Sequence, residues 1–386
     1  MEKLFLITLI ILMIQLLFVI WNVRQMPKLE KTNNFKESDR SPLISILIPA
    51  RNEERNIGEC LASLVQSNYK NLQILVLDDR SEDRTPEIVK SFASQDERIK
   101  LIEGSPLPSG WAGKVFACHQ LSRHAAGEWW LFMDADARVA PDGITSTLQL
   151  AKKQGRGLIT GFPYQEVRTF FEKLIVPLMT FTIACHLPVR LVRKSRDPKF
   201  VAAHGAFMFI NRESYRVSGG HSAIKDQIVD DMALARRMKE VGEPVTLAYV
   251  HTSISMRMYH NSKEVWNGFR KNIYAGLGRR ISLLLPILIT YFMLYVLPSL
   301  LLLVFLLDWI ISPNSPVATS EMFFWATACM LLGMGVKFAA DRNSGQPGWL
   351  SICMPLSTML LILLALDSCR GAYSSKGYQW KGRKYT

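Results

Sequence analysis

Three short acidic groups punctuate the chain: Arg51-Asn52-Glu53-Glu54, Asp78-Asp79 and Asp134-Ala135-Asp136. Each closely follows a run of bulky apolar residues, LISILI, LQILVL and WWLFM. Neighbouring like charges repel, so their grouping calls for a cation, a set of hydroxyl groups, or both. A single Asp-Asp after a strand is commonly a turn or a helix cap, and a single Asp-x-Asp arises by chance. Three such groups behind three apolar runs are harder to attribute to turns.

The apolar runs supply the elements that hold these groups. Leu43–Ile48, Leu72–Leu77, Ile99–Ile102 and Trp129–Met133 read as strands. Helical stretches alternate with them over Asn56–Gln66, Thr85–Ser94 and Lys114–Ala126. Thr85 is a candidate N-cap, with Pro86 in the first turn. This alternation predicts a parallel sheet covered on both faces. Ligands of such sheets bind beyond the carboxyl ends of the strands, which is where the acidic groups fall. No GxGxxG follows the first strand and no GxxxxGK[ST] occurs, which argues against a nicotinamide dehydrogenase and a P-loop ATPase. A cradle of carboxylates suits a nucleotide held by its ribose hydroxyls, with its diphosphate bridged through a metal.

Four stretches in order, LISILIPARNEERNI, ILVLDDRSEDRT, FMDADA and IVDDMALARRM, resemble the inverting family 2 glycosyltransferases. The resemblance covers roughly Leu43 to Tyr274. It implies an α/β fold: a GT-A, Rossmann-like nucleotide-sugar-binding domain with a mostly parallel sheet. LPSGWAGKVFACHQ resembles membrane-bound members that glycosylate isoprenoid lipids, the diaponeurosporenoate (carotenoid) and hopanoid types. By position in these motifs, Glu53 and Asp79 contact the uracil–ribose part of the donor. Lys114 approaches the diphosphate, Asp134 shares the ribose and metal side, and Asp136 coordinates Mg2+ or Mn2+. On an extended backbone the two Asp-x-Asp carboxylates would share one face. Asp231 matches the family's catalytic base, and Asp230 reads as an acid favouring a helix N-terminus. His204 and Gly205, in VAAHGAFMFINRESY, are candidates beside the acceptor, although a core histidine and a tight turn would read the same way. The QxxRW motif of related polymer synthases is absent. EVWNGFRKN stands there, and Arg270 or Lys271 is the candidate to offset the diphosphate.

The remaining chain is apolar or basic. Its 386 residues carry a net charge of +13, which suits a membrane surface or acidic small molecules better than it identifies nucleic acid. Leu4–Val23 contains no Asp, Glu, Lys or Arg and approaches the ~20 residues of a spanning helix. It reads as an uncleaved anchor (residues 1–23), and Arg24, Lys28, Lys31 and Lys36 behind it place the next domain in the cytoplasm. That domain is expected over 41–280, with an interfacial helix at 170–193, followed by membrane helices over 281–367 and a basic cytoplasmic tail over 368–386. Ile281–Leu307 and Gly345–Leu366 read as crossings. The shorter uncharged stretch inside Met322–Ala340 reads as re-entrant or interfacial. The loop from Asp308 to Glu321, which lacks Lys and Arg, reads as outside. Arg190, Arg193, Lys194, Arg196 and Lys199 favour anionic lipid. The six cysteines form no CxxC pair and read as free thiols without zinc.

These features predict a multi-pass cell-membrane enzyme. It would move one sugar from a nucleotide-diphospho-sugar, a UDP-hexose first, to a lipid acceptor at the bilayer, with no nucleic-acid partner. A polysaccharide synthase and a non-catalytic nucleotide-sugar-binding membrane protein are the alternatives.

Overall fold

The computed structural model describes residues 2–30, 41–311, 321–373, 378–380 and 383–385. Lys31, Lys36, Lys376 and Lys381 lie outside the described residues, as does most of the loop between Asp308 and Glu321. Helix α1 is Glu2–Val23. Next come β1 (Ile44–Ala50), α2 (Ile57–Val65), β2 (Leu72–Asp78), α3 (Thr85–Ala93) and β3 (Ile99–Glu103). They are followed by α4 (Gly113–His124), β4 (Trp129–Phe132), β5 (Ala137–Val139), α5 (Gly143–Gln154), β6 (Leu158–Thr160) and β7 (Tyr164–Gln165). Three short helices are α6 (Phe170–Ile175), α7 (Leu178–His186) and α8 (Val189–Lys194). Then come β8 (Met208–Asn211), α9 (Arg212–Ser218), a 3₁₀ turn at Gly220–Ile224, α10 (Asp230–Glu240), β9 (Val245–Leu247) and β10 (Ile254–Met256). The last helices are α11 (Ser262–Gly276), α12 (Ile281–Tyr291), α13 (Leu297–Ile311), α14 (Glu321–Asn343) and α15 (Met354–Ala372).

The chain divides into two compact units. One comprises Met26–Glu166 and Pro188–Met258; the other comprises Met1–Gln25, Val167–Leu187 and Tyr259–Thr386. This division differs from a single domain over 41–280: residues 167–187 and 259–280 belong with the apolar helices.

The first unit is built on a seven-stranded sheet of order β3-β2-β1-β4-β8-β6-β9. Strands β1 to β4 are parallel, and β9 is parallel to β6. β8 runs antiparallel to both β4 and β6. Hydrophobic period cannot reveal this reversal, because it reports which face is buried and not strand direction. The β1 and β2 side chains Ile46, Ile48, Ile74 and Val76 are fully buried, each contributing about 1.5–3 kcal/mol. Trp129 stacks on Phe209 across the β4–β8 pair at 5.2 Å. Gly127 lets the chain enter β4 close to β1, since a Cβ there would lie 2.7 Å from the Leu43 carbonyl oxygen.

Among the described residues of the other unit, four helices are long and apolar enough to cross a membrane: Glu2–Val23, Ile281–Ile311, Glu321–Asn343 and Gly348–Ala372. The stretch expected to be re-entrant therefore lies in one continuous 23-residue helix. α14 runs beside α1 in the same direction: Cys329 Sγ donates to the Phe5 carbonyl at 3.6 Å, and Gly335 lies against Leu16 further along. The charges that shorten its uncharged stretch, Lys337 and Asp341, pair with each other one turn apart at 2.7 Å.

The single interfacial helix expected over 170–193 is instead three helices, interrupted at Pro177 and Pro188, neither of which has an N–H to continue a helix. Leu174, Ile175, Leu178 and Phe181 are buried in the apolar core of this unit. The buried Glu172 helps to cap α6: Thr169 Oγ1 accepts from its N–H at 3.3 Å, and its carboxylate accepts from the Thr169 hydroxyl at 2.7 Å and the Arg168 N–H at 2.8 Å.

Candidate active site

The loops after β1 and β2 are fastened to each other by side chain-to-backbone hydrogen bonds. Asn52 N–H donates to Ser81 Oγ at 2.9 Å, and Glu82 N–H donates to Asn52 Oδ1 at 2.9 Å. Glu53 N–H donates to Thr85 Oγ1 at 2.8 Å. Thr85 is thus the first residue of α3 and reaches back to the other loop, where a simple N-cap was expected. Asn52 and Arg80 adopt φ values of 53° and 58°, a left-handed conformation uncommon outside glycine that marks both turns as constrained. Asp79 is 5% exposed, while Asp78 accepts from the Ser81 N–H at 3.2 Å as a turn residue would. The Glu53 carboxylate accepts from Asn56 Nδ2 at 2.9 Å. The charges of Asp136, Glu53 and Asp134, with burial as the larger cause, raise the Cys60 thiol pKa, and Arg138 opposes them. Cys60 of α2 is thus within electrostatic reach of Glu53 and of both Asp-x-Asp carboxylates.

Asp134-Ala135-Asp136 is not extended. The Ala137 N–H donates to the Asp134 carbonyl at 3.1 Å, which closes a turn between β4 and β5. The argument that residues two apart on a strand share a face therefore does not apply here. Asp134 Oδ1 lies 2.6 Å from Lys114 Nζ, at the start of α4.

Antiparallel β8 completes the site. Phe132, the last residue of β4, pairs with Met208, the first of β8. The residues just before β8 therefore lie beside those just after β4, which brings Gly205 to Asp134. A Cβ at Gly205 would stand 2.7 Å from Lys114 Nζ, 3.5 Å from Asp134 Oδ2 and 3.8 Å from Asp231 Oδ2. Gly205 N–H donates to Asp231 Oδ2 at 2.9 Å, and Met232 N–H donates to Asp231 Oδ1 at 2.7 Å. His204 is buried and its Nδ1 accepts from the Ala206 N–H at 3.2 Å, so it shapes the turn; burial lowers its pKa to about 4.

Two acids open α10. Burial and then the Asp230 charge raise the Asp231 pKa to about 7, against the pull of Lys114 and of the two N–H donors. Burial lowers the Lys114 pKa, but the carboxylates of Asp134 and Asp230 more than offset it and hold the ammonium above the usual lysine range. Lys114 Nζ is 3.9 Å from Asp230 Oδ2. A cation is thus set among three carboxylates, one of which is tuned toward neutral pH.

A further group was hidden by its spacing. Ligand atoms of Cys118, His221 and Asp230 lie within 4.8 Å of one another, although the sequence separates the first two by about a hundred residues. His221 Nδ1 is 2.9 Å from the Tyr215 hydroxyl, and burial lowers the imidazole pKa to about 3, so it is neutral. All six cysteines are free thiols. Arg270 lies in the unit of apolar helices, with Nε 3.2 Å from Asp367 Oδ2.

Residues 45–219 match the model of Glycosyl transferase family 2. The chain is 25% identical over 374 residues to the 4,4'-diaponeurosporenoate glycosyltransferase of Staphylococcus aureus (strain USA300), covering 95% of this chain and 93% of the relative. It is 26% identical over 262 residues to the protein of the same name from Staphylococcus haemolyticus, covering 67% and 68%. Among solved structures, a mannosyltransferase of Pyrobaculum calidifontis in complex with GDP-Man and Mn2+ is similar with a TM-score of 0.52. At 18% identity, over 89% of this chain and 98% of that one, this likeness is one of fold, the GT-A architecture.

Proposed function

We infer, for a chain whose residues 45–219 match the family 2 glycosyl transferases, an inverting, metal-dependent transfer of one sugar to a membrane lipid. The donor is a nucleotide-diphospho-sugar, a UDP-hexose in the first instance, and the acceptor is an isoprenoid lipid. The observation that carries this reading is the Asp231 carboxylate, held by the Gly205 N–H at 2.9 Å beside the Lys114–Asp134 pair. Relatives along nearly the whole chain are named for glycosyl transfer to diaponeurosporenoate, which favours an isoprenoid acceptor over a growing polysaccharide.

In this mechanism Asp231 accepts the proton of the acceptor hydroxyl as that oxygen attacks the anomeric carbon. The sugar–phosphate bond breaks on the opposite side, so one displacement inverts the configuration. A carboxylate with a pKa near 7 is a stronger base than one near ~3.9 and remains ionised in half the molecules at neutral pH. Glu53 and Asp79 accept hydrogen bonds from the base and ribose of the donor. Lys114 carries positive charge where the diphosphate departs. The all-oxygen donor set of Asp136 with Asp134 and Glu53 fits a hard divalent ion, Mg2+ or Mn2+, held by Asp136 and Asp134. Such an ion supplies Lewis-acid neutralisation of the leaving diphosphate.

The apolar helices anchor the enzyme in the cell membrane, with the glycosyl transferase unit on the cytoplasmic side favoured by Arg24 and Lys28 behind α1. If all four candidate helices cross, the C-terminus lies opposite that unit, and a reporter fused to Thr386 reads this directly.

Membranes containing the chain, given radiolabelled UDP- and GDP-sugars with Mg2+ or Mn2+, should yield one labelled organic-soluble product. With a hydroxyl acceptor the Asp231→Asn enzyme should not. No labelled lipid with any donor, in membranes supplied with isoprenoid acceptors, would overturn the reading.

A further inference from the structure

We propose that the basic segment Pro188–Phe200 is a binding surface for anionic phospholipid headgroups. It carries Arg190, Arg193, Lys194, Arg196 and Lys199 against one carboxylate, Asp197. All five cations are exposed, and among the described residues none forms an ion pair. Clustered, unpaired surface cations attract anionic partners, an anionic lipid surface among them.

The segment is built rather than loose. Lys239 of α10 is 4% exposed, and its ammonium donates to the carbonyl oxygens of Phe200 at 2.6 Å, Ser195 at 3.0 Å and Leu191 at 3.3 Å. These carbonyls, with that of Asp197 at 3.5 Å, fold the chain around one buried cation, while buried Val189 and Val192 fix the start of the segment. The outward side chains are left to face solvent. Lys239 lies on the helix that begins with Asp230 and Asp231, so the basic segment is hydrogen-bonded to the helix that carries the candidate base.

Chain connectivity keeps the first cation of the segment within a few residues of a candidate span. Asn22, at the end of α1, is buried and donates to the carbonyls of Ala184 at 2.9 Å and Leu187 at 2.7 Å. The end of α7 is thereby fastened to the end of the N-terminal candidate span. Arg190 is three residues beyond Leu187, at most about 11 Å along the chain. A cation tethered this close to the end of a span is within reach of lipid phosphates, and four more follow it in the sequence. The inference rests on α1 crossing a bilayer and not on the transfer reaction.

The full chain, purified in detergent, is titrated with short-chain phosphatidylglycerol, short-chain phosphatidylcholine and inorganic phosphate, with bound lipid read by native mass spectrometry. Phosphatidylglycerol should bind in preference, more weakly as salt rises. Each cation near an anionic surface contributes roughly fivefold in affinity. The variant Arg193→Gln/Lys194→Gln/Arg196→Gln should therefore lose affinity on the order of a hundredfold, and Arg193→Lys/Arg196→Lys should keep it. All altered side chains are exposed, and an unchanged melting temperature certifies the fold. Equal binding of the two lipids, equal binding by the triple variant, or full competition by inorganic phosphate at matched concentration would each overturn the proposal. Equal affinity for an oligonucleotide would do so too, by making the surface a general polyanion site.

Discussion

Gly205 N–H donates to Asp231 Oδ2 at 2.9 Å, and the space where a Gly205 side chain would begin is occupied by Lys114 Nζ, 2.7 Å away. One backbone position thus orients a carboxylate and leaves room for the ammonium that faces it. Gly205→Ala should keep the first and disturb the second. The lysine end is flexible, so the fold should survive with little change in melting temperature. The Lys114–Asp134 contact should be displaced, and kcat/KM for the donor should fall more than stability does. Assay of nucleotide-sugar turnover alongside thermal unfolding separates the two effects. Full activity in the Gly205→Ala enzyme would remove Gly205 from the site.

The pKa of Asp231, raised to about 7, sets a pH dependence. Below that pH the carboxyl is protonated and cannot accept a proton, so kcat/KM should fall about tenfold per unit as pH drops. Asp230 is one cause of the elevation. Asp230→Asn should therefore move the acidic limb to lower pH while keeping activity above it. Asp231→Asn should cost about 10²–10⁴-fold with a hydroxyl acceptor. A carboxylate acceptor is already ionised near neutrality and needs no base, so with it the Asp231→Asn enzyme should stay active and the limb should disappear. The same pair of profiles therefore reports the chemical class of the acceptor.

Much of this site is legible in the sequence because apolar runs that stop at charged residues mark strand ends. Glu53, Asp79 and Asp134 sit at the ends of β1, β2 and β4 for that reason. What the sequence hides is direction and distance. Residue period does not reveal that β8 runs backwards, and it is this reversal that carries Gly205 to Asp134. The Asp-x-Asp turn is invisible because Ala135 suits a strand and a turn alike. The Cys118–His221 approach is made by the fold across about a hundred residues. The length of α14 is concealed by Lys337 and Asp341, which count as two charges until their pairing within one helix is seen. Hydropathy also cannot say what an apolar segment packs against, so 170–193 reads as one interfacial helix although Leu174, Ile175, Leu178 and Phe181 are buried.

Lys114 and Asp136 should differ in how they fail. Lys114→Met leaves Asp134 without the ammonium now 2.6 Å away, and the loss of a fixed positive charge at a departing diphosphate typically costs about 10²–10³-fold in kcat. Extra divalent metal should not restore it. Asp136→Asn should instead raise the metal concentration required for half-maximal rate, with part of the activity recovered at high Mn2+. A chelator should abolish turnover of the parent enzyme, and either Mg2+ or Mn2+ should return it. Turnover measured against metal concentration in the three proteins tests this; a metal-independent parent enzyme would refute the assignment of Asp136.

Lys337 and Asp341 pair at 2.7 Å with side chains 0% and 1% exposed, inside a helix long and apolar enough to span a membrane. Both oxygens of Asp341 accept from the one ammonium, at 2.9 and 2.7 Å, so the pair is close to neutral as a unit. Breaking it strands a charge in an apolar core, which typically costs about 3–5 kcal/mol. Lys337→Met and Asp341→Leu should therefore each lower the unfolding temperature of the detergent-solubilised protein markedly. The double variant, which leaves no orphan charge, should recover most of the loss, because well-packed apolar residues replace buried ion pairs at little or no net cost. Strict additivity of the two single losses would show that the residues act independently and that their pairing is incidental to the stability of α14.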